Sequence, residues 1–263
     1  MVSDEQLQVE KAEYICTLTI NRPERRNALT IDLMYRLGDT LRALGEDGET
    51  RVVVMRGAGE KAFCAGMDLR GGMTVAQDEM EKKGNPLDYL RSGIIECRRP
   101  VIAMICGAAV GAGCDVAAAC DIRMAADNAR MGINPVKMGS VYWPVGTQSL
   151  TNVVGRTWAR ELFFTGRFVE AAQALRIGLV NHVVPAAELH ARTYALAQEI
   201  AENGPLAVAA TKAIFNRLLE RRRPSEDDVA DMMTLVNSVE SSADRKEGLR
   251  AFIEKRKPDF AGR

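Results

Sequence analysis

The sequence has only two histidines, His182 and His190, in 263 residues, and no GxSxG segment. A serine or cysteine hydrolase that depends on a histidine base therefore has little to stand on. The six cysteines, Cys16, Cys64, Cys97, Cys106, Cys114 and Cys120, form no CxxC pair and no zinc-like spacing with histidine. Most lie in apolar stretches, where a free cysteine packs as a small hydrophobe. Reduced thiols, no metal and a cytoplasmic location are expected. Net charge is missing too. Lys and Arg number 35 and so do Asp and Glu, which leaves no general basic field for nucleic acid. The run Arg221-Arg222-Arg223 is followed at once by Glu226, Asp227 and Asp228, as in a solvated helix end. The N-terminus, MVSDEQLQVE, is acidic and polar, unlike a signal peptide.

Long hydrophobic runs are equally scarce. The one exception is VIAMICGAAVGAGCDVAAAC at 101–120. Gly107, Gly111 and Gly113 interrupt any continuous helix there, and Asp115 would cost about 2.5–3.5 kcal/mol at a membrane centre. The run reads as buried core carrying a single carboxylate, and no membrane partner is expected.

What is present is an α/β pattern. EYICTLTI at 13–20 alternates as a strand and stops at Asn21-Arg22-Pro23. Thr30 then caps an amphipathic helix, IDLMYRLGDTLRAL. RVVVMRG at 51–57, VIAMIC at 101–106 and DIRMAA at 121–126 are buried strands, and LVNHVVP at 179–185 ends in a further extended piece. From about Glu188 onward the chain reads helix after helix. No linker separates this part, so residues 1–198 form a core and 199–263 a helical appendage. The polar connection GGMTVAQDEMEKKGNP at 71–86 is expected to be a mobile loop. No repeat or low-complexity tract is found.

Two strands run into glycine-containing turns, KAFCAGMDLR and GAAVGAGCD. Glycine lets backbone amides approach a ligand closely. The second turn also opens a helix, whose first N–H groups lack intrahelical partners. Side by side, two such turns would aim two donors at one oxygen and form an oxyanion hole. Taken singly, either turn serves tight packing equally well. A dinucleotide fingerprint fails because Val116 stands where a third glycine is needed, and no P-loop Lys-Ser/Thr follows either turn.

NRPERRNAL, FCAGMDL and GAAVGAGCD, in this order and spacing, resemble the enoyl-CoA hydratase/isomerase, or crotonase, superfamily. The resemblance extends to EGLRAFIEKRKPDFAGR at the C-terminus. It implies a crotonase-type ββα spiral core with a C-terminal helical trimerisation region, assembled as a homotrimer or hexamer. It implies an acyl-CoA thioester substrate of the kind met in fatty acid metabolism, and no cofactor beyond the coenzyme A of the substrate. The oxyanion-hole amides map onto Met67 and Ala112. Ala65, Gly66, Asp68, Leu69, Gly111 and Asn134 fall in the substrate-binding segments, and Arg25 or Arg26 and Lys255 supply cations for the CoA phosphates. The family often has glycine where Ala112 stands, a mild departure unless that turn needs φ > 0.

The same resemblance bears on the reaction. Family hydratases carry a glutamate at the position of Asp115 and a second one where this chain has Pro135. Proline neither accepts nor delivers a proton, and a positioned acid or base is worth about 10²–10⁴ in rate. NPVKMGSVYWPVG resembles the matching segment of methylmalonyl-CoA decarboxylases, which maps their active-site tyrosine onto Tyr142. Met67 stands where those enzymes have histidine, but the residue acts through its backbone N–H. A decarboxylase or related lyase using Asp115 and Tyr142 is favoured. The alternatives are a hydratase or isomerase with Asp115 as its only carboxylate, and a non-catalytic acyl-CoA-binding protein. Asp115 as a plain helix cap and Tyr142 as a loop aromatic are the structural alternatives for those two residues.

Overall fold

A computed structural model describes residues 6–69, 77–220 and 226–260. The chain starts with a hairpin of β1 (Leu7–Ala12) and β2 (Ile15–Ile20), paired antiparallel from Leu7↔Ile20 to Ala12↔Ile15. Its two turn residues, Glu13 and Tyr14, both have positive φ (46° and 69°), the geometry a tight hairpin requires. β1 is absent from the sequence-based strands because five of its six residues are exposed, so no buried face marks it. α1 (Ile31–Glu46) follows, and the Thr30 hydroxyl accepts from the Leu33 amide at 3.2 Å, the cap expected from sequence.

A ββα unit then repeats three times. Each contributes one strand to a large sheet, a short strand to a second sheet, and a helical segment. The first unit is β3 (Val52–Gly57), β4 (Ala62–Cys64), α2 (Gln77–Lys83) and α3 (Pro86–Glu96). The second is β5 (Val101–Ile105), β6 (Ala108–Val110) and α4 (Ala112–Ala119). The third is β7 (Ile122–Ala126), β8 (Arg130–Gly132) and α5 (Pro144–Thr165). β9 (Val169–Glu170), α6 (Ala171–Arg176) and β10 (His182–Val184) complete the sheets. Strand order is β1-β2-β3-β5-β7-β10 in the large sheet and β4-β6-β8-β9 in the small one. This is the ββα spiral. The second-sheet strands span only two or three residues, too few for periodicity to reveal them.

The run at 101–120 is thus strand, strand and helix, folded inward. Of the polar connection at 71–86, residues 77–83 are α2 rather than loop; residues 70–76 lie outside the described residues. Asn85 explains why structure resumes there: its side chain caps α3, accepting from the Leu87 and Asp88 amides at 3.0 and 3.2 Å.

The central strands β3 and β5 are largely apolar on both faces because both are covered. Val53 and Met55 join one core cluster. Val52 and Val54 point the other way, with Ile102 and Met124, against Leu189, Ala197 and Ala201 of α7 (Leu189–Ala201). α7 therefore covers the sheet on both sides of residue 198. Beyond it come α8 (Pro205–Glu220), α9 (Glu226–Glu240) and α10 (Ala243–Glu254). On α8, Leu206, Ala210, Ile214 and Leu218 are all exposed within one chain. Arg221, Arg222 and Arg223 lie outside the described residues. Among the described residues, no helix is long and apolar enough to cross a membrane.

Candidate active site

NRPERRNAL runs alongside the first glycine turn and fixes it through backbone bonds. The Ala65 amide bonds the Arg26 carbonyl at 3.0 Å, and the Leu29 amide bonds that of Gly66 at 2.8 Å. The Asp68 amide in turn bonds Leu29 at 2.8 Å. Leu29 and Met67 form a parallel bridge. In that geometry Leu29 bonds the residues on either side of Met67, so the Met67 N–H faces the opposite way. Asn27, fully buried, holds the preceding turn by donating to the Ala58 and Ala62 carbonyls at 3.0 and 2.7 Å.

The second turn begins α4. Gly111 is the N-cap with φ 55° and ψ −121°, a conformation that suits glycine. Ala112 is the first helical residue, so its N–H has no intrahelical partner. The positive torsions fall on Gly66 (100°) and Gly111, and Ala112 has none. Alanine at 112 is therefore compatible with this turn. The turns lie against each other. A Cβ on Gly66 would sit 2.9 Å from the Val110 carbonyl and 3.7 Å from the Ala112 nitrogen. Cys64, next to the first turn, is fully buried, and burial pushes its thiol up to about 12. It stays a thiol, not a nucleophilic thiolate.

Asp115 lies one turn into α4 and is completely buried. The Tyr142 hydroxyl, ahead of α5, donates to Asp115 Oδ2 at 2.8 Å. The remaining partner is Arg91 of α3. Its Nε donates to Oδ1 at 3.3 Å and its Nη2 to Oδ2, while its Nη1 bonds Asp88. Burial lowers the Arg91 pKa, but the Asp115 charge more than reverses this and the guanidinium is held above its ordinary value. Burial and then the Asp115 charge push the Tyr142 phenol well above 10. Gly146, in the first turn of α5, makes room for the group. A Cβ there would collide with the Tyr142 ring and lie 2.9 Å from both Arg91 Nη2 and Asp115 Oδ2. Beside Tyr142, a cleft of about 260 Å³ opens between α5 and α9, lined by Val141, Pro144, Thr147, Met232 and Val236 among others.

Sequence reasoning did not single out Arg91. A signal existed: Leu87, Leu90, Arg91 and Ile94 share one helical stripe, which places an arginine among core positions.

The other expected binding residues are placed as follows. Asp68 pairs with the buried Arg22 at 2.8 Å, so it shapes the turn. Leu69 is exposed next to it. Arg25 and Arg26 are exposed in and after a 3-10 turn, Pro23–Arg25. Asn134 is the half-buried N-cap of a second 3-10 turn, Pro135–Met138. That turn packs on α10, where Gly248 touches Met138. Lys255 is exposed at the C-cap of α10 with φ 56°.

The model of the family described as enoyl-CoA hydratase/isomerase matches residues 10–263. A probable mitochondrial enoyl-CoA hydratase of Arabidopsis thaliana is 36% identical over 248 residues, which cover 94% of this chain and 82% of that protein. Among solved structures, a methylmalonyl-CoA decarboxylase complexed with 2S-carboxypropyl-CoA is similar with a TM-score of 0.90 and 30% identity, covering 100% of both chains. An enoyl-CoA hydratase/isomerase from Pseudoalteromonas atlantica is similar with a TM-score of 0.85 and 29% identity, covering 97% of this chain and 100% of that one.

Proposed function

This chain belongs to the enoyl-CoA hydratase/isomerase family, and we propose that it decarboxylates an acyl-CoA thioester through an enolate held by the Met67 and Ala112 amides. The observation that carries this reading is the state of Asp115. Arg91 bonds both its oxygens, and Tyr142 also bonds one of them. Pro135 supplies no second carboxylate. Among the described residues, the carboxylates of this group are Asp115 and Asp88, and Arg91 bonds both, which leaves no free pair there to activate water for addition to a double bond.

Decarboxylation does not need that pair. The bond between the α-carbon and the carboxylate breaks, carbon dioxide leaves, and its electron pair passes into the thioester enolate. Two N–H donors aimed at the developing oxyanion stabilise it, and one such donor is worth about 10²–10³ in rate. A proton from Tyr142 or water then adds to the α-carbon, and water restores the phenol. The acyl group would occupy the apolar cleft beside Tyr142. Arg25 or Arg26 and Lys255 would meet the CoA phosphates as exposed cations. No cofactor is required beyond the coenzyme A of the substrate.

Hydration or isomerisation with Asp115 alone is the second reading, favoured by relatives such as the Arabidopsis hydratase. Incubation with malonyl-, methylmalonyl- and enoyl-CoA thioesters, read by mass spectrometry, separates the two. Carbon dioxide loss from a malonyl-type thioester is expected. Water addition to an enoyl thioester without any decarboxylation would replace this reading with the second. Binding without turnover of any thioester would leave a non-catalytic binder.

We also propose that α8 buries its exposed apolar face, Leu206, Ile214 and Leu218 included, against copies of this chain in a trimer or a dimer of trimers. Light scattering is expected to give three or six times 28.8 kDa; a monomer mass at micromolar concentration overturns it. The six cysteines are all unpaired, which suits a reducing compartment, in our reading the cytoplasm.

A further inference from the structure

Arg91 is one of very few charged side chains carried into the core of the described residues. Its side chain is 3% exposed and Asp115 is 0% exposed, whereas its second partner, Asp88, is 36% exposed. The groups facing this pair come from three elements: Asp88 from α3, Cys114 from α4 and Tyr142 ahead of α5. Cys114 is fully buried, and burial followed by the Asp115 charge pushes its thiol up to about 12. It takes no part in proton traffic near neutral pH.

A guanidinium fork bound to both oxygens of a carboxylate fixes the plane of that carboxylate as well as its position. Asp115 Oδ2 accepts the Tyr142 proton, so the phenolic oxygen takes its position from Asp115 and, one step back, from Arg91. Gly146 provides independent support. Its missing Cβ leaves space for Tyr142, Asp115 and Arg91 together, so the start of α5 is shaped around the three side chains.

We propose that Arg91 is a positioning residue for the reaction: by bonding both oxygens it clamps the Asp115 carboxyl group in one orientation, so that Asp115 orients Tyr142 and does not itself transfer a proton. This rests on the proposed enolate chemistry at the same site. It assigns proton delivery to Tyr142 and water, and it reverses the role that Asp115 would have as an acid. An orienting carboxylate is not a minor part. Loss of the aspartate that orients a catalytic histidine in serine proteases lowers kcat by about 10⁴.

The test is a pH profile of turnover on the thioester identified by the panel. Wild type is expected to show no carboxylate limb from about pH 5 to about pH 9. Arg91→Gln leaves the Asp115 carboxylate buried without its charged partner. That variant should lose at least about tenfold in kcat with KM little changed, and should gain an acid limb above about pH 5. Arg91→Lys restores the charge without the fork and should remove the limb while recovering only part of kcat. If Arg91→Gln does not fold, Arg91→Lys decides by kcat at unchanged KM. The double variant Arg91→Gln with Asp115→Asn, two amides in place of two charges, should be slow and free of the limb.

Wild-type kcat and pH profile in folded Arg91→Gln or Arg91→Lys overturns the proposal. So does a wild-type acid limb that disappears in Asp115→Asn. A second readout needs no substrate. Carbon-13 NMR of ring-labelled tyrosines, with Tyr142 assigned by its absence in Tyr142→Phe, should give one Tyr142 signal in wild type that shifts or broadens once Arg91 is replaced, because the phenol loses its fixed acceptor. A Tyr142 signal that is unchanged by Arg91→Gln refutes the clamp even if turnover is found. A protein that turns over no thioester fails the functional reading and still leaves the clamp to be judged by this signal.

Discussion

Two ion pairs that reach into the body of this molecule look alike and are built differently. Lys212 of α8 reaches into the body of the protein and bonds Asp121 Oδ2 at 2.7 Å. Its other two protons go to the Ile94 and Arg99 carbonyls, both at 3.0 Å. Asp121 also accepts from the Val101 amide at 2.7 Å. The lysine's three protons go to three oxygens, two of them backbone. Such a pair is a strut between α8, the end of α3 and the starts of β5 and β7. Arg91 and Asp115 involve no backbone at all. Their further partners are a second carboxylate, Asp88, and a titratable hydroxyl, Tyr142. One positive charge faces two negative ones, and a movable proton sits on the edge of the group. One pair is saturated by backbone oxygens; the other is left unbalanced beside a phenol, at the site proposed for the chemistry.

Breaking each pair should therefore give opposite kinds of loss. Asp115→Asn is expected to have the largest effect, a fall in kcat of about 10²–10⁴ with acyl-CoA binding largely kept. Steady-state kinetics together with calorimetric titration of a thioester measures both parts. Near-normal kcat would reduce Asp115 to a helix-start carboxylate. Lys212→Met removes the strut, leaving Asp121 and two carbonyls without their donor. Stability should fall by about 3 kcal/mol, the lower end for a broken buried pair because Asp121 is partly exposed. Denaturant unfolding measures that fall, and kcat per folded molecule should not change.

A smaller perturbation tests the neighbourhood of the first pair without touching its charges. Gly146→Ala places a methyl where Tyr142, Asp115 and Arg91 meet. Overpacking of this kind costs about 1–3 kcal/mol, and the displaced phenol should lower kcat more than it raises KM. The mildest expected change is in the alkaline range. In wild type, burial and the Asp115 charge keep Tyr142 protonated past pH 10, so stability linked to that phenol is full below 10 and is lost only as pH rises beyond it. Asp115→Asn removes the charge and leaves the burial, so the tyrosinate absorbance should appear at lower pH than in wild type. An unchanged midpoint would mean that Asp115 does not act on Tyr142 electrostatically.

The strut and the site also differ in how far the sequence revealed them. Residues whose role comes from local backbone were legible: the Thr30 cap, the Gly66 and Gly111 turns, and the buried strands at 51–57, 101–106 and 121–126. Asp115 stood out because it is the one charge in an apolar run. Its partner did not, because DYLRSGII reads as an ordinary amphipathic helix until α3 is packed against α4. Lys212 was hidden in the same way, within a helix whose apolar face points outward. The short strands β4, β6, β8 and β9 were missed because pairing at long range, not a pattern of their own, makes them strands. Asp68, placed by the resemblance in a substrate-binding segment, also pairs with Arg22, a contact between residues 46 apart that no local pattern contains.

At the second turn, the strained torsion belongs to Gly111 and the donated proton to Ala112. Division of labour between neighbouring residues has a consequence for how such a site can diversify. Position 111 is bound to one amino acid by stereochemistry, whereas position 112 must only keep an N–H and a helical backbone. The methyl of Ala112 is thus free to be traded for a hydrogen or another small group without moving the donor. In the proposed mechanism, a change of side chain at 112 would leave the donor in place, whereas one at 111 would displace it.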